Sequence, residues 1–111
     1  MKSASRTLVK SPPELWEMLD QPDRMQGLMS ALVGYATEIH VAERRPEARL
    51  VWEAHSHVDA ARIEVEIAES GWGTQIEVSA ECGNPQRLEG WLNAVMDELA
   101  TPEKRPFDGI V

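Results

Sequence analysis

A chain of 111 residues suits one domain with a modest core and leaves no room for a second. Eleven Lys and Arg against nineteen Asp and Glu give a formal charge of −8, a surface that repels phosphate backbones and anionic lipid and so argues against nucleic-acid and membrane partners. No run approaches the roughly eighteen apolar residues of a membrane span, MKSASRTLVKSPPE lacks the apolar core of a secretory signal, and Cys82 has no partner for an intrachain disulfide, so a cytoplasmic protein is expected.

SRTLVK, residues 5–10, reads as a short strand that stops at Ser11-Pro12-Pro13. Ser11 followed three residues later by Glu14 is a capping box, and proline is tolerated in a first helical turn. Leu15, Trp16, Met18 and Leu19 then mark the apolar face of a helix that Asp20-Gln21-Pro22 interrupts, because the residue before a proline is pushed away from α geometry. A second short helix is expected from near Pro22, carrying Met25, Leu28 and Met29, while GLMSALVGY fits helix or strand equally by pattern.

From Tyr35 the period changes to two. TEIHVAER, ARLVWEAHS, ARIEVEIAE and GTQIEVSAEC alternate apolar and polar residues, as strands of an antiparallel sheet do when one face is wet and the other buried. Alternation turns inward Thr37, Ile39 and Val41, then Leu50, Trp52 and Ala54, then Ile63, Val65 and Ile67, and finally Thr74, Ile76, Val78 and Ala80. In the first strand either Thr7 and Val9 or Leu8 faces in. ESGWGT supplies a glycine-flanked hairpin turn. After Pro85, Leu88, Leu92, Val95 and Leu99 form a helical stripe widened by Trp91 and Met96, and the sheet is the broad apolar surface that such a stripe requires. The expected domain covers residues 1–100, with TPEKRPFDGIV, residues 101–111, as a loose tail. The fold class is α+β: an antiparallel sheet, two short helices after the first strand and a long C-terminal helix.

Taken in order, these segments resemble a known superfamily. TLVKSPPELWEMLDQPDRM is similar to the opening of START-like, or SRPBCC, domains, the superfamily of polyketide cyclase/dehydrase-like and lipid-transfer proteins. AERRPEARLVWEA resembles its proline-marked hairpin, ESGWGTQIEVSAE its glycine-threonine hairpin and QRLEGWLNAVMDELA its closing helix, so the likeness covers roughly residues 4–100. The resemblance implies a helix-grip fold, a curved antiparallel sheet wrapped around the C-terminal helix, often with an apolar cavity between them. This chain departs from the pattern in having a short stretch between the second helix and ERRPEARL, where members carry a further strand or hairpin. Leu28 to Val33 would supply a reduced version; otherwise the sheet is smaller and the cavity shallow, open or filled.

The function expected from these readings is non-catalytic binding of a small hydrophobic molecule between sheet and final helix, lined by Trp16, Met29, Ile39, Trp52, Val65, Val78, Trp91, Val95 and Met96. The same residues at the same spacings also serve an ordinary core. The alternative is a protein-interaction module or homodimer without a usable cavity, using an edge strand, the acidic face or Trp72 at a hairpin tip. A cyclase/dehydrase-type enzyme is the minority reading, since no acid or base falls among the inward positions unless Tyr35 or Glu43 turns in. His55, His57 and Asp59 look like the opening of the H-x-H-x-D-H zinc signature of metallo-β-lactamase-type hydrolases, but Ala60 follows Asp59 and that fold needs far more chain. No metal, cofactor or catalytic residue is therefore assigned. The outward glutamates, Glu38, Glu53, Glu64, Glu66, Glu77 and Glu81, are expected to keep the sheet soluble, with Arg62, His40 and His55 relieving their repulsion.

Overall fold

The computed structural model describes residues 1–34, 37–55, 60–71, 73–83 and 85–100. Strand β1 (Lys2–Leu8) leads into helices α1 (Pro12–Leu19) and α2 (Pro22–Val33). Strands β2 (His40–Arg45), β3 (Arg49–His55), β4 (Ala60–Ser70) and β5 (Gly73–Glu81) follow, and a short 3-10 turn at Pro85–Arg87 opens into α3 (Leu88–Ala100).

The local signals act as written in the sequence. Ser11 Oγ accepts the Glu14 N–H at 3.4 Å while Glu14 Oε1 accepts the Ser11 N–H at 3.3 Å, so both arms of the capping box are made. The GLMSALVGY segment is helical through Val33 and ends at Gly34, whose φ of 89° is the left-handed cap that glycine adopts at least cost. Leu28 to Val33 therefore forms no strand, and among the described residues none lies between α2 and β2.

The sheet is curved, antiparallel and five-stranded in the order β1-β5-β4-β3-β2. β1 and β2 are thus its two edges, and α1 and α2 carry the chain from one edge to the other across the inner face, against β4. β1 begins earlier than expected, at Lys2, and places Leu8, not Thr7 or Val9, on the inner face. β2 begins only at His40, so Thr37 and Ile39 precede it. Its register against β3 slips between Val41 and Glu43, with Ala42 as the extra residue.

The alternation of β3, β4 and β5 holds: Trp52, Ala54, Ile63, Val65, Ile67, Thr74, Ile76, Val78 and Ala80 are buried. Two valines reverse their expected exposure. Val41 lies opposite Trp52 on the inner register but at the edge of the sheet, where 39% of it meets solvent. Val51 occupies the outer register yet is fully buried beneath an ion-pair layer described below. Helix α3 buries Leu88, Trp91, Leu92, Val95, Met96 and Leu99, and its neighbours are β1, β5 and also α2, so the stripe is shared between sheet and helix. Lys2–Glu89, Arg6–Asp97 and Arg24–Glu98 pair across the rim of α3 at 3.7, 3.1 and 3.6 Å. Such exposed pairs add little beside the apolar layer under them.

Candidate functional site

Six elements and the segment before β2 supply the residues expected to line a binding site, while β1 adds Leu8 to the same interior without being among them. α1 supplies Trp16, α2 Met29, the approach to β2 Ile39, β3 Trp52, β4 Val65, β5 Val78, and α3 Trp91, Val95 and Met96. Val65 and Val78 stand directly opposite each other in the sheet. All nine belong to one apolar cluster; Trp16 and Ile39 are half-buried at its boundary and the other seven are buried. Met18, Leu28, Val33 and Cys82 join Trp16 and Ile39 on that boundary.

Polar groups in this interior are few and satisfied. Among the described residues, Thr74 is the buried polar side chain, and its hydroxyl donates to the Lys10 carbonyl. The Trp91 indole Nε1 donates to the Leu28 carbonyl at 2.9 Å, which aims the polar edge of the ring at α2 and bolts α3 to it. No described carboxylate, imidazole or amine is buried against the apolar cluster. Glu43, the carboxylate that alternation left free to turn in, faces outward and is held by Arg45 and Arg49. Tyr35 lies outside the described residues. Among the described residues the interior is apolar and presents no placed acid or base for proton transfer.

The outer face is ionic. Arg49 donates to Glu43 at 3.1 Å, to Glu64 at 2.6 Å and also to Glu66; Arg62 donates to Glu53 at 2.7 Å and to Glu64 at 2.8 Å. Two arginines thus tie three strands together and roof Val51. The Arg62 guanidinium, with Arg49 beside it, holds the Glu64 carboxyl below its ordinary range against the opposing cost of desolvation. Arg49 does the same for Glu43, and Arg62 for Glu53. Arg62 acts on the glutamates as expected, whereas the role of Arg49, which opens β3, carries no local signal because its partners lie on the two neighbouring strands, β2 and β4.

His40, which opens β2, lies opposite Glu53, and Nε2 of His40 stands 3.3 Å from Glu53 Oε1. The His40 and His55 rings stack with centroids 5.7 Å apart. His55 therefore groups with His40 and Glu53 through cross-strand pairing; His57 and Asp59 lie outside the described residues, as does Trp72. A groove of about 430 Å³ runs along the junction of β1, α1 and the β4–β5 hairpin and is lined by Val9, Lys10, Ser11, Glu14, Glu69 and Thr74. Its hydroxyl and carboxylate at Ser11 and Glu14 are already committed to the cap.

No family model matches the sequence, and no curated protein matches it. Solved structures do match its fold. The Aha1 dimer from Colwellia psychrerythraea is 11% identical with a TM-score of 0.63, covering 92% of this chain and 97% of that one. CalU16 from Micromonospora echinospora is 16% identical with a TM-score of 0.60, over 90% and 75% of the two chains. DynU16, a protein of the dynemicin biosynthetic locus, is 14% identical with a TM-score of 0.62; 88% of this chain matches it but spans only 45% of its length. At these identities the likeness is one of fold, and the fold is the helix grip.

Proposed function

We propose that this protein is a non-catalytic START-like domain that binds a small hydrophobic molecule in the interior between the sheet, α2 and α3. The observation that carries the reading is the single apolar cluster reaching from buried Trp52, Val65 and Val78 on the strands, through Met29 and Met96, to half-exposed Trp16 and Ile39 at the boundary. Methionine side chains repack at low cost, so Met25, Met29 and Met96 give the layer a means to part around a guest. The absence of a placed ionisable group among the described residues supports binding over chemistry. Its fold neighbours CalU16 and DynU16 support the superfamily reading. The negative net charge argues against nucleic-acid and anionic-membrane partners, and no described helix is long and apolar enough to cross a membrane. Native mass spectrometry of the purified protein, followed by titration with an apolar fluorescent dye, tests the reading. A co-purified species, or saturable one-to-one dye uptake that changes tryptophan emission, is expected. Neither being seen would overturn it.

A second reading, self-association through an edge strand, draws on Val41. This valine is 39% exposed on β2, whose outer edge has no partner strand among the described residues, and a fold neighbour is described as a dimer. Light scattering across concentration separates the two readings, since only the second requires a mass that grows with concentration and falls with Val41→Lys.

A further inference from the structure

The outer face of the β2–β3 hairpin gathers three potential metal ligands that no motif in the sequence unites. His40 sits across from Glu53, and His55 follows Glu53 by two residues on the same strand. The pleat therefore turns all three side chains to the solvent side, away from the apolar interior. One ligand atom from each lies within 4.8 Å of both others. The imidazole planes are inclined by only 17°, so the rings present their edges in parallel.

We propose that His40, Glu53 and His55 form a surface site for a divalent transition-metal ion of the zinc type. Two imidazole nitrogens and one carboxylate oxygen are a ligand set that zinc accepts, with a fourth position left to water. Bonds of about 2.0–2.1 Å in tetrahedral geometry put ligand atoms roughly 3.3 Å apart. His40 Nε2 and Glu53 Oε1 already stand at 3.3 Å. The β2–β3 ladder fixes the backbone at His40 and Glu53 and the β3–β4 ladder fixes it at His55, so bringing His55 to the same spacing calls on side-chain rotation. The second carboxylate oxygen of Glu53 is engaged by Arg62 at 2.7 Å, which leaves Oε1 turned toward the histidines, as outer-shell partners do in metal sites. The charge that Arg62 brings near the ion is itself answered by Glu64 at 2.8 Å. An ion here clips the edge strand β2 to β3 just beyond the Ala42 bulge. It is independent of any guest in the interior, which lies on the opposite face of the sheet.

The test uses the untagged full-length protein, freed of metal with a chelator and titrated with Zn²⁺ by calorimetry and with Co²⁺ by visible absorption. One saturating ion per chain and the intense absorption of a four-coordinate cobalt site are expected. His40→Ala and His55→Ala should each weaken binding by at least about tenfold, while His57→Ala leaves it unchanged. Both substituted histidines are exposed, so circular dichroism should show the fold retained. Lack of saturable uptake would overturn the proposal, as would uptake that persists in His40→Ala and His55→Ala or that disappears with His57→Ala alone.

Discussion

The indole of Trp91 on α3 donates its one hydrogen bond to the carbonyl of Leu28 in the middle of α2, 63 residues away in sequence. This bond joins the closing helix to the crossover helix rather than to the sheet, so α3 is located by two surfaces at once. Trp91→Phe keeps most of the apolar contact but removes the donor and part of the ring volume. A loss of about 1–3 kcal/mol is expected, read as a lower urea midpoint with unchanged slope. An unaltered midpoint would mean that the bond adds nothing to the packing.

Gly73 opens β5 where the end of β1 passes closest. A Cβ placed there would clash with the carbonyl oxygen of Leu8, a main-chain atom that can move only with its strand. Gly73→Ala should therefore cost about 1–3 kcal/mol through overpacking, visible as a lowered melting temperature. Gly27→Ala, at a helical position where an added Cβ meets nothing within 4 Å, is the matched control and should be neutral or slightly stabilising.

The β2–β3 turn runs through Pro46 and Glu47, closed by the Ala48 N–H donating to the Arg45 carbonyl at 2.9 Å. Glu47 is held at φ 60°, the position of such a turn that favours glycine. Glu47→Gly relieves that strain at the expense of a more flexible unfolded chain, and a net gain of up to about 1 kcal/mol is expected in chemical denaturation. A loss of stability would show that the Glu47 side chain contributes contacts of its own.

The outer-face network sets the acid limit of stability. Glu64, Glu43 and Glu53 all titrate below their ordinary value of 4.5 in the folded protein, Glu64 chiefly through Arg62, Glu43 through Arg49 and Glu53 through Arg62. A depressed folded-state pKa contributes stability that is complete above the unfolded value and is lost as pH falls through the folded one. Stability should therefore be level near neutrality and decline below about pH 4.5. Glu64→Gln should make that decline shallower and, at pH 7, cost about 1 kcal/mol once solvent screening on an accessible sheet face is allowed for. Melting curves from pH 3 to pH 7 for both proteins check it, and identical slopes in acid would remove Glu64 from the account.

Much of the fold is legible in residues 5–99 because its signals are local. The Ser11–Glu14 box, the break at Asp20-Gln21-Pro22 and the alternation of β4 and β5, from Ile63 to Ile67 and from Thr74 to Ala80, each act within a few residues, and each appears where the sequence places it. The helical nature of Leu28 to Val33 was open, because a short apolar run carries no period that separates helix from strand, and the left-handed Gly34 that ends it is a backbone fact. The nine interior residues were legible as apolar positions; a core and a binding site ask for the same side chains.

The sequence by itself determined which residues must leave water, since periodicity and composition are properties of neighbours along the chain. Tertiary structure alone decided which of them succeed: Val51 is sealed under Arg49 and Arg62, while Val41, equally apolar, stays wet at a sheet edge. It also decided that His40 meets Glu53 and His55 across a hairpin. The reason is that lateral contacts depend on strand order and on a register shifted by one bulged residue, and neither is written in any local stretch of the chain.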